Sequence, residues 1–186
     1  MQKNYVRNLE VNAAGNTGFK LRDMVVCGLL IAMVFISTAF INIRLPFSIN
    51  GGLIHLGNVA LFLSAIIFGK KKGAIAGAFG MALFDVLSPY VIWAPFTFVI
   101  RGVMGYIIGS VSHAAQRNGE KALWNWLAIL LGGVWMVAGY YGAEGLIYGN
   151  WISPMTSIPG NLVQIAAGAF GAIPAAYCIK KFKLAV

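Results

Sequence analysis

Two residues of opposite charge, Asp85 and Arg101, lie within apolar sequence. The segment that joins them, DVLSPYVIWAPFTFVIR, contains two prolines and an aromatic cluster of Tyr90, Trp93 and Phe96. A hairpin of two helices with its turn in this segment would bring both charges to a similar depth. Ionised side chains are costly in hydrocarbon, so they usually face a partner, a cavity or a substrate. We therefore expect either a structural ion pair or part of a ligand site here.

Other polar side chains fall at matching ends of the predicted apolar helices. Trp93, Thr97 and Arg101 follow one face of a helix at intervals of four residues. Helix caps or an interfacial aromatic belt would explain some of these residues individually, but their shared depth favours a pocket. The candidate substrate-binding residues are His55, Asn58, Asp85, Trp93, Thr97, Arg101, Tyr141, Glu144, Asn161 and Gln164.

The composition identifies an integral membrane protein with a helical fold. Of the 186 residues, 59% are hydrophobic and 10% are charged, and soluble domains carry about 25% charged residues. The net charge of +9 comes from short basic clusters that flank apolar runs, a pattern typical of membrane topology signals. Nucleic-acid binding is therefore not expected.

Hydropathy predicts an all-α bundle of six transmembrane helices, at about 22–41, 53–69, 73–88, 93–112, 122–148 and 158–179. Twelve of the fourteen Lys and Arg residues would then lie on one side of the membrane. The positive-inside rule places both termini in the cytoplasm. Residues 1–19 are expected to form a flexible cytoplasmic tail, and residues 20–186 the substrate-binding domain.

Small residues spaced four apart recur in several of these helices, and such pairs let helix backbones approach closely. We expect internal packing seams at Gly73-x-x-x-Gly77, at Gly105-x-x-x-Gly109 and at Ala172-x-x-x-Ala176. The pair Gly28 and Ala32 lies at the cytoplasmic end of the first helix, away from the predicted pocket. That smooth patch is a candidate docking surface for another membrane protein.

Motifs of catalysis are missing from the sequence. It contains no Walker A motif, no GxSxG, no HExxH, and no clustered cysteines or histidines with metal-ligand spacing. We expect no enzyme activity, no cofactor and no metal, and active uptake would need a separate ATPase. Two alternatives remain: a stand-alone proton-coupled carrier that uses Glu144 or Asp85, and an intramembrane enzyme that uses His55 and Asp85.

Three stretches, IHLGN, FGKKKGAIAG and DVLSPYVIWAPFTFVIRG, resemble the S components of energy-coupling factor (ECF) vitamin transporters. The similarity is to the riboflavin-type group, which includes hydroxymethylpyrimidine and pyridoxine carriers. It implies a multi-pass protein of the bacterial cell membrane with a vitamin site open to the outside. It also implies docking of Gly28 and Ala32 on a transmembrane scaffold (T) subunit, two ATPase subunits as further partners, and toppling of the S component within the bilayer.

Under this interpretation the substrate is a small flat vitamin or precursor, with hydroxymethylpyrimidine or pyridoxine expected and riboflavin as an alternative. Trp93 and Tyr141 would stack on its ring, and Asp85 and Glu144 would anchor its polar groups. Arg101 would hold Asp85 in place. Hydrogen bonds would come from Asn58, Asn161 and Gln164.

Overall fold

The computed structural model describes residues 21–40, 42–44 and 53–182. The predicted tail, residues 1–19, lies outside this part of the chain. The described part is a helical bundle with one short pair of antiparallel strands, which pair Asn42 with His55 and were not predicted from the sequence. Its elements are α1 (Leu21–Phe40), β1 (Asn42–Arg44), β2 (Leu53–His55), α2 (Gly57–Val86), α3 (Ala94–His113), α4 (Ala122–Tyr148) and α5 (Ile158–Lys181).

Helix α2 is a hairpin of two arms that meet at Gly69. That residue has φ +81° and ψ −176°, a backbone conformation that glycine adopts without a steric penalty. A Cβ on Gly73 would lie 2.6 Å from the Cβ of Ala65, and one on Gly77 would overlap the side chain of Leu61. In a straight helix Leu61 and Gly77 would be about 24 Å apart. The two arms therefore run antiparallel, and they correspond to the second and third predicted helices.

The glycines of the second arm pack directly against α3. A Cβ on Gly105 would lie 2.6 Å from the carbonyl carbon of Gly73, and a Cβ on Gly109 would lie 2.6 Å from that of Gly69. Such close backbone approach requires glycine at both positions. In α5, Ala172 and Ala176 are fully buried. The predicted internal seams are thus confirmed.

Four segments of the described chain are long and apolar enough to cross a membrane. Their outward faces carry large apolar side chains, such as Leu123, Leu130 and Val134 of α4, which would contact lipid. The protein is therefore a multi-pass helical membrane protein. The four segments are Leu21–Phe40, Val91–Gln116, Ala122–Tyr148 and Ser153–Lys181.

Polar contacts gather several helix ends at one end of the bundle, close to the α2 turn. Lys72 forms an ion pair of 2.7 Å with Asp23, at the start of α1. His113, the last residue of α3, lies 2.9 Å from the carbonyl oxygen of Ile66, and Lys180 of α5 lies 3.5 Å from that of Ile67. We call this the lysine-rich end. The opposite end, where β2 leads into α2, is the cavity end.

Candidate functional site

A cavity lies at the cavity end of the bundle, between the ends of α1, β2, α2 and α4 and the starts of α3 and α5. About 650 Å³ of empty space lies between its lining atoms, open solvent at its mouth included. Its lining residues are Thr38, His55, Met81, Phe84, Asp85, Tyr90, Trp93, Thr97, Arg101, Tyr140, Glu144, Ser157, Asn161 and Gln164.

The structure brings most of the predicted site residues into this one cavity. Asn58 lies next to the cavity without lining it, fully buried, and its side chain contacts two lining residues. Tyr141 is not part of the lining. The predicted residues that do line the cavity are His55, Asp85, Trp93, Thr97, Arg101, Glu144, Asn161 and Gln164.

Arg101 joins the helices on this side of the bundle. Its side chain is only 3% exposed. The guanidinium donates hydrogen bonds to the Asn58 side-chain oxygen, to Gln164 Oε1 at 3.0 Å and to the Tyr140 hydroxyl at 3.0 Å. A fourth contact runs to the Met136 sulfur at 3.1 Å. Because these partners lie on α2, α5 and α4, one side chain of α3 connects all four helices.

The expected ion pair between Asp85 and Arg101 is absent from the described part of the chain, where Arg101 donates to Asn58, Gln164 and Tyr140 instead. The register between α2 and α3 explains this. A Cβ on Gly77 would lie 2.7 Å from the Arg101 carbonyl oxygen, so Arg101 packs level with Gly77. Asp85 lies about 12 Å further along α2. The expectation that Arg101 holds Asp85 in place is therefore wrong.

Glu144 lies where α4 and α5 converge. Its Oε2 accepts a hydrogen bond of 3.0 Å from the Ser157 hydroxyl, and both side chains are buried. Helix α4 is followed by Gly149, which has φ +62°. The side chain of Asn150 then accepts from the backbone N–H groups of Ile152 and Ser153, which shapes the turn into α5.

The two adjacent tyrosines of α4 have different roles. The Tyr140 hydroxyl lines the cavity, accepts from Arg101 and lies 3.2 Å from the Thr97 hydroxyl. Tyr141 instead donates a 2.7 Å hydrogen bond to the Trp151 carbonyl oxygen in the α4–α5 connection. Consecutive residues on a helix point about 100° apart, so only one of the two can face the cavity. Of these two tyrosines, Tyr140 lines the cavity and Tyr141 does not.

Aromatic rings form much of the cavity wall. The Trp93 ring lies 6.0 Å from the Tyr140 ring and 6.2 Å from the Tyr148 ring, centroid to centroid. Phe84 and Tyr90 stack with a centroid distance of 6.3 Å. Some lining residues were not predicted from the sequence. Two of them, Met81 and Phe84, lie four residues and one residue before Asp85 on α2, and this spacing could have indicated that they lie near it. The missed lining residues are Thr38, Met81, Phe84, Tyr90, Tyr140 and Ser157.

His55 is buried at the end of β2, and its ring is oriented by the backbone. Its Nδ1 accepts a 3.1 Å hydrogen bond from the N–H of Gly57, which assigns the ring proton to Nε2. The described residues contain no group of His, Cys, Asp and Glu that could hold a metal ion. The lining combines aromatic rings, amides, hydroxyls and two carboxylates with the His55 ring and the Arg101 guanidinium, which suits binding of a flat polar ring.

Comparisons with known proteins agree with this chemistry. Residues 18–181 match the family described as "ECF-type riboflavin transporter, S component". A Pyrococcus woesei protein described as "Uncharacterized protein in gap 3'region" is 32% identical over 139 residues, 75% of this chain and 90% of its own. The thiamine precursor transporter HmpT of Lactococcus lactis subsp. cremoris (strain MG1363) is 27% identical over 148 residues, 80% of this chain and 81% of its own. The chain therefore belongs to the ECF-type riboflavin transporter S component family, and it is a transporter component, not an enzyme.

Proposed function

We propose that this protein is the substrate-binding subunit of an ECF-type ABC importer for hydroxymethylpyrimidine or pyridoxine. The observation that carries the proposal is the cavity, in which aromatic rings and buried polar groups from five helices converge. A small heteroaromatic ring with hydroxyl groups would stack on Trp93 or Tyr140 and hydrogen-bond to Asn161, Gln164 and Glu144. The relative named as a thiamine precursor transporter supports a pyrimidine or related ring.

Riboflavin is the second candidate, because the family description names it. Its tricyclic ring needs a longer apolar slot than a single pyrimidine or pyridine ring. The lining of this cavity is rich in buried polar side chains, among them Asp85, Thr97 and Gln164. A compact ring with polar groups on several edges can satisfy such a lining better than a tricyclic ring can, so we rank riboflavin second.

The proposal includes six membrane crossings with both termini in the cytoplasm. The two arms of α2 supply two crossings, joined by the turn at Gly69 and the lysines that follow it. Residues 57–68 span only about 18 Å, whereas the hydrocarbon core is about 30 Å thick. The first arm would therefore end below the outer surface, which supports a cavity that opens outward and reaches into the membrane. The lysine-rich end would face the cytoplasm.

The exposed face of α1 supports the proposed docking on a T subunit that two ATPase subunits energise. Gly28 and Ala32 are both exposed, and a Cβ on Gly28 would meet no atom within 4 Å. Large apolar residues surround this pair on the same helix, including Leu29, which is 66% exposed. A smooth strip between bulky side chains allows another helix to approach closely. Toppling of the docked subunit would then carry the cavity across the membrane.

Ligand binding to the purified full-length chain tests the proposal. Calorimetry or thermal shift would compare hydroxymethylpyrimidine, pyridoxine, thiamine and riboflavin. We expect one-to-one binding of a single-ring compound, weakened at least about tenfold by Glu144→Ala or Asn161→Ala. Lys121→Ala, an exposed residue at the lysine-rich end, is the matched control and should bind normally. A folded protein that binds none of these compounds would contradict the proposal.

A further inference from the structure

One polar atom of the cavity has no role in holding the fold. Asp85 is 8% exposed, and its Oδ2 has no hydrogen-bond partner among the residues that the structure describes. A buried acceptor without a partner is unfavourable, and nearly all such groups in proteins are satisfied by the chain, by water or by a ligand. Asp85 lines the cavity, so a molecule bound there would lie next to this carboxylate.

Arg101, a cationic side chain that lines the same cavity, hydrogen-bonds to other residues. The donors of Arg101 are directed to Asn58, Gln164 and Tyr140, not to Asp85. The other carboxylate of the cavity, Glu144, accepts from the Ser157 hydroxyl. Asp85 is thus the acidic lining residue whose oxygen is left for a donor on the ligand.

The surroundings of Asp85 fix which part of a ligand would reach it. Phe84 precedes Asp85 on α2 and stacks with Tyr90, and both rings line the cavity. Met81, one turn earlier on the same helix, also lines it and is 2% exposed. A ligand ring stacked on Trp93 or Tyr140 would also contact these apolar groups, and an edge of the ring would then meet the carboxylate.

We propose that Asp85 accepts a hydrogen bond from an amino group on the ligand ring, so that the site selects amino-substituted pyrimidines over their ring-carbonyl counterparts. This inference rests on the proposed function and deepens it. An amino group donates two N–H bonds, whereas a carbonyl oxygen at the same position would place lone pairs against the carboxylate. A site that hydrogen-bonds one substituent rejects an analogue that lacks it, because the buried group loses its partner.

The test compares two ligands with the purified full-length protein. One is hydroxymethylpyrimidine, which carries a ring amino group, and the other is its deaminated analogue, in which a carbonyl replaces the amine. We expect the wild type to bind the amino compound at least about tenfold more tightly. Asp85→Asn should reduce this ratio to about one or invert it, because an amide both donates and accepts. Glu120→Gln makes the same chemical change at an exposed position and should keep the wild-type ratio.

Each outcome separates this inference from the proposed function. Equal affinity of the wild type for the two pyrimidines, or tighter binding of pyridoxine, would overturn the inference while the proposed function stands. An unchanged ratio in Asp85→Asn would also overturn it. Binding of no single-ring compound at all would overturn the proposed function, and the inference with it. The wild-type ratio needs no variant, so it decides the question even if Asp85→Asn fails to fold.

Discussion

The Arg101 guanidinium donates to the Gln164 side-chain oxygen at 3.0 Å, so that α3 is tied directly to α5 at the cavity. Both side chains are at least 97% buried. Neither residue has a carboxylate partner in this contact. The arginine is held by neutral oxygens and a sulfur atom, and neither carboxylate of the cavity forms an ion pair with it.

We predict that Arg101→Ala destabilises the protein by about 2–4 kcal/mol. Hydrogen bonds between membrane helices contribute about 0.6 kcal/mol each on average, and a charged donor strengthens them. Removing Arg101 eliminates three such bonds and leaves Asn58, Gln164 and Tyr140 without their donor. Thermal unfolding in detergent would measure the loss. Lys121→Ala serves as the exposed control, and an Arg101→Ala protein as stable as that control would show that the network is dispensable.

The glycine seam between the second arm of α2 and α3 gives a second prediction. Gly105→Ala would place a methyl group against the backbone of Gly73, and neither helix can move away without repacking. We expect a destabilisation of about 1–3 kcal/mol, the usual cost of overpacking.

A matched glycine on α4 provides the control for this seam. A Cβ on Gly142 would meet no atom within 4 Å, so Gly142→Ala should be neutral or stabilise the helix by up to about 1 kcal/mol. Thermal unfolding of the two variants would be compared under the same conditions. Equal midpoints for Gly105→Ala and Gly142→Ala would contradict the packing that the structure shows.

Two adjacent tyrosines offer a sharp test of which face of α4 lines the site. Tyr140→Phe removes a hydroxyl that contacts Arg101 and Thr97 in the cavity, and we expect ligand affinity to fall about three- to tenfold. Tyr141→Phe removes a hydroxyl that bonds to the Trp151 carbonyl oxygen, and it should lower stability slightly with affinity retained. Calorimetric titration of both variants with the ligand would measure the two affinities. A larger affinity loss in Tyr141→Phe than in Tyr140→Phe would contradict the assignment of the Tyr140 face of α4 to the cavity.

Much of the fold follows from the sequence because a membrane imposes strong rules. Apolar runs located the helices to within a few residues, and spaced small residues located the seams, since only glycine allows backbones to approach as closely as they do at Gly73 and Gly105. The strands β1 and β2 were missed because three residues each are too short to show an alternating pattern.

The errors at the site arise from quantities that a single sequence does not encode. The depth of Arg101 relative to Asp85 depends on the register between α2 and α3, which is set by contacts such as that of Gly77 with the Arg101 backbone. The choice between Tyr140 and Tyr141 depends on the rotation of α4 about its own axis. The residue types of the site and the end of the bundle where it lies were predictable from the sequence. The register between helices and the rotation of each helix depend on packing contacts.

The proposed docking face of α1 separates binding from transport. We predict that Gly28→Leu leaves ligand affinity unchanged, because the residue is exposed and far from the cavity, but reduces uptake in cells at least about tenfold. A bulky side chain there would hold a partner helix away from the strip between Gly28 and Ala32. Leu131→Ala, on the exposed face of α4, controls for general effects on lipid contact and should transport normally. Normal uptake by Gly28→Leu would exclude this docking face. Uptake that persists without any ATPase subunits and collapses with a protonophore would instead favour a stand-alone proton-coupled carrier.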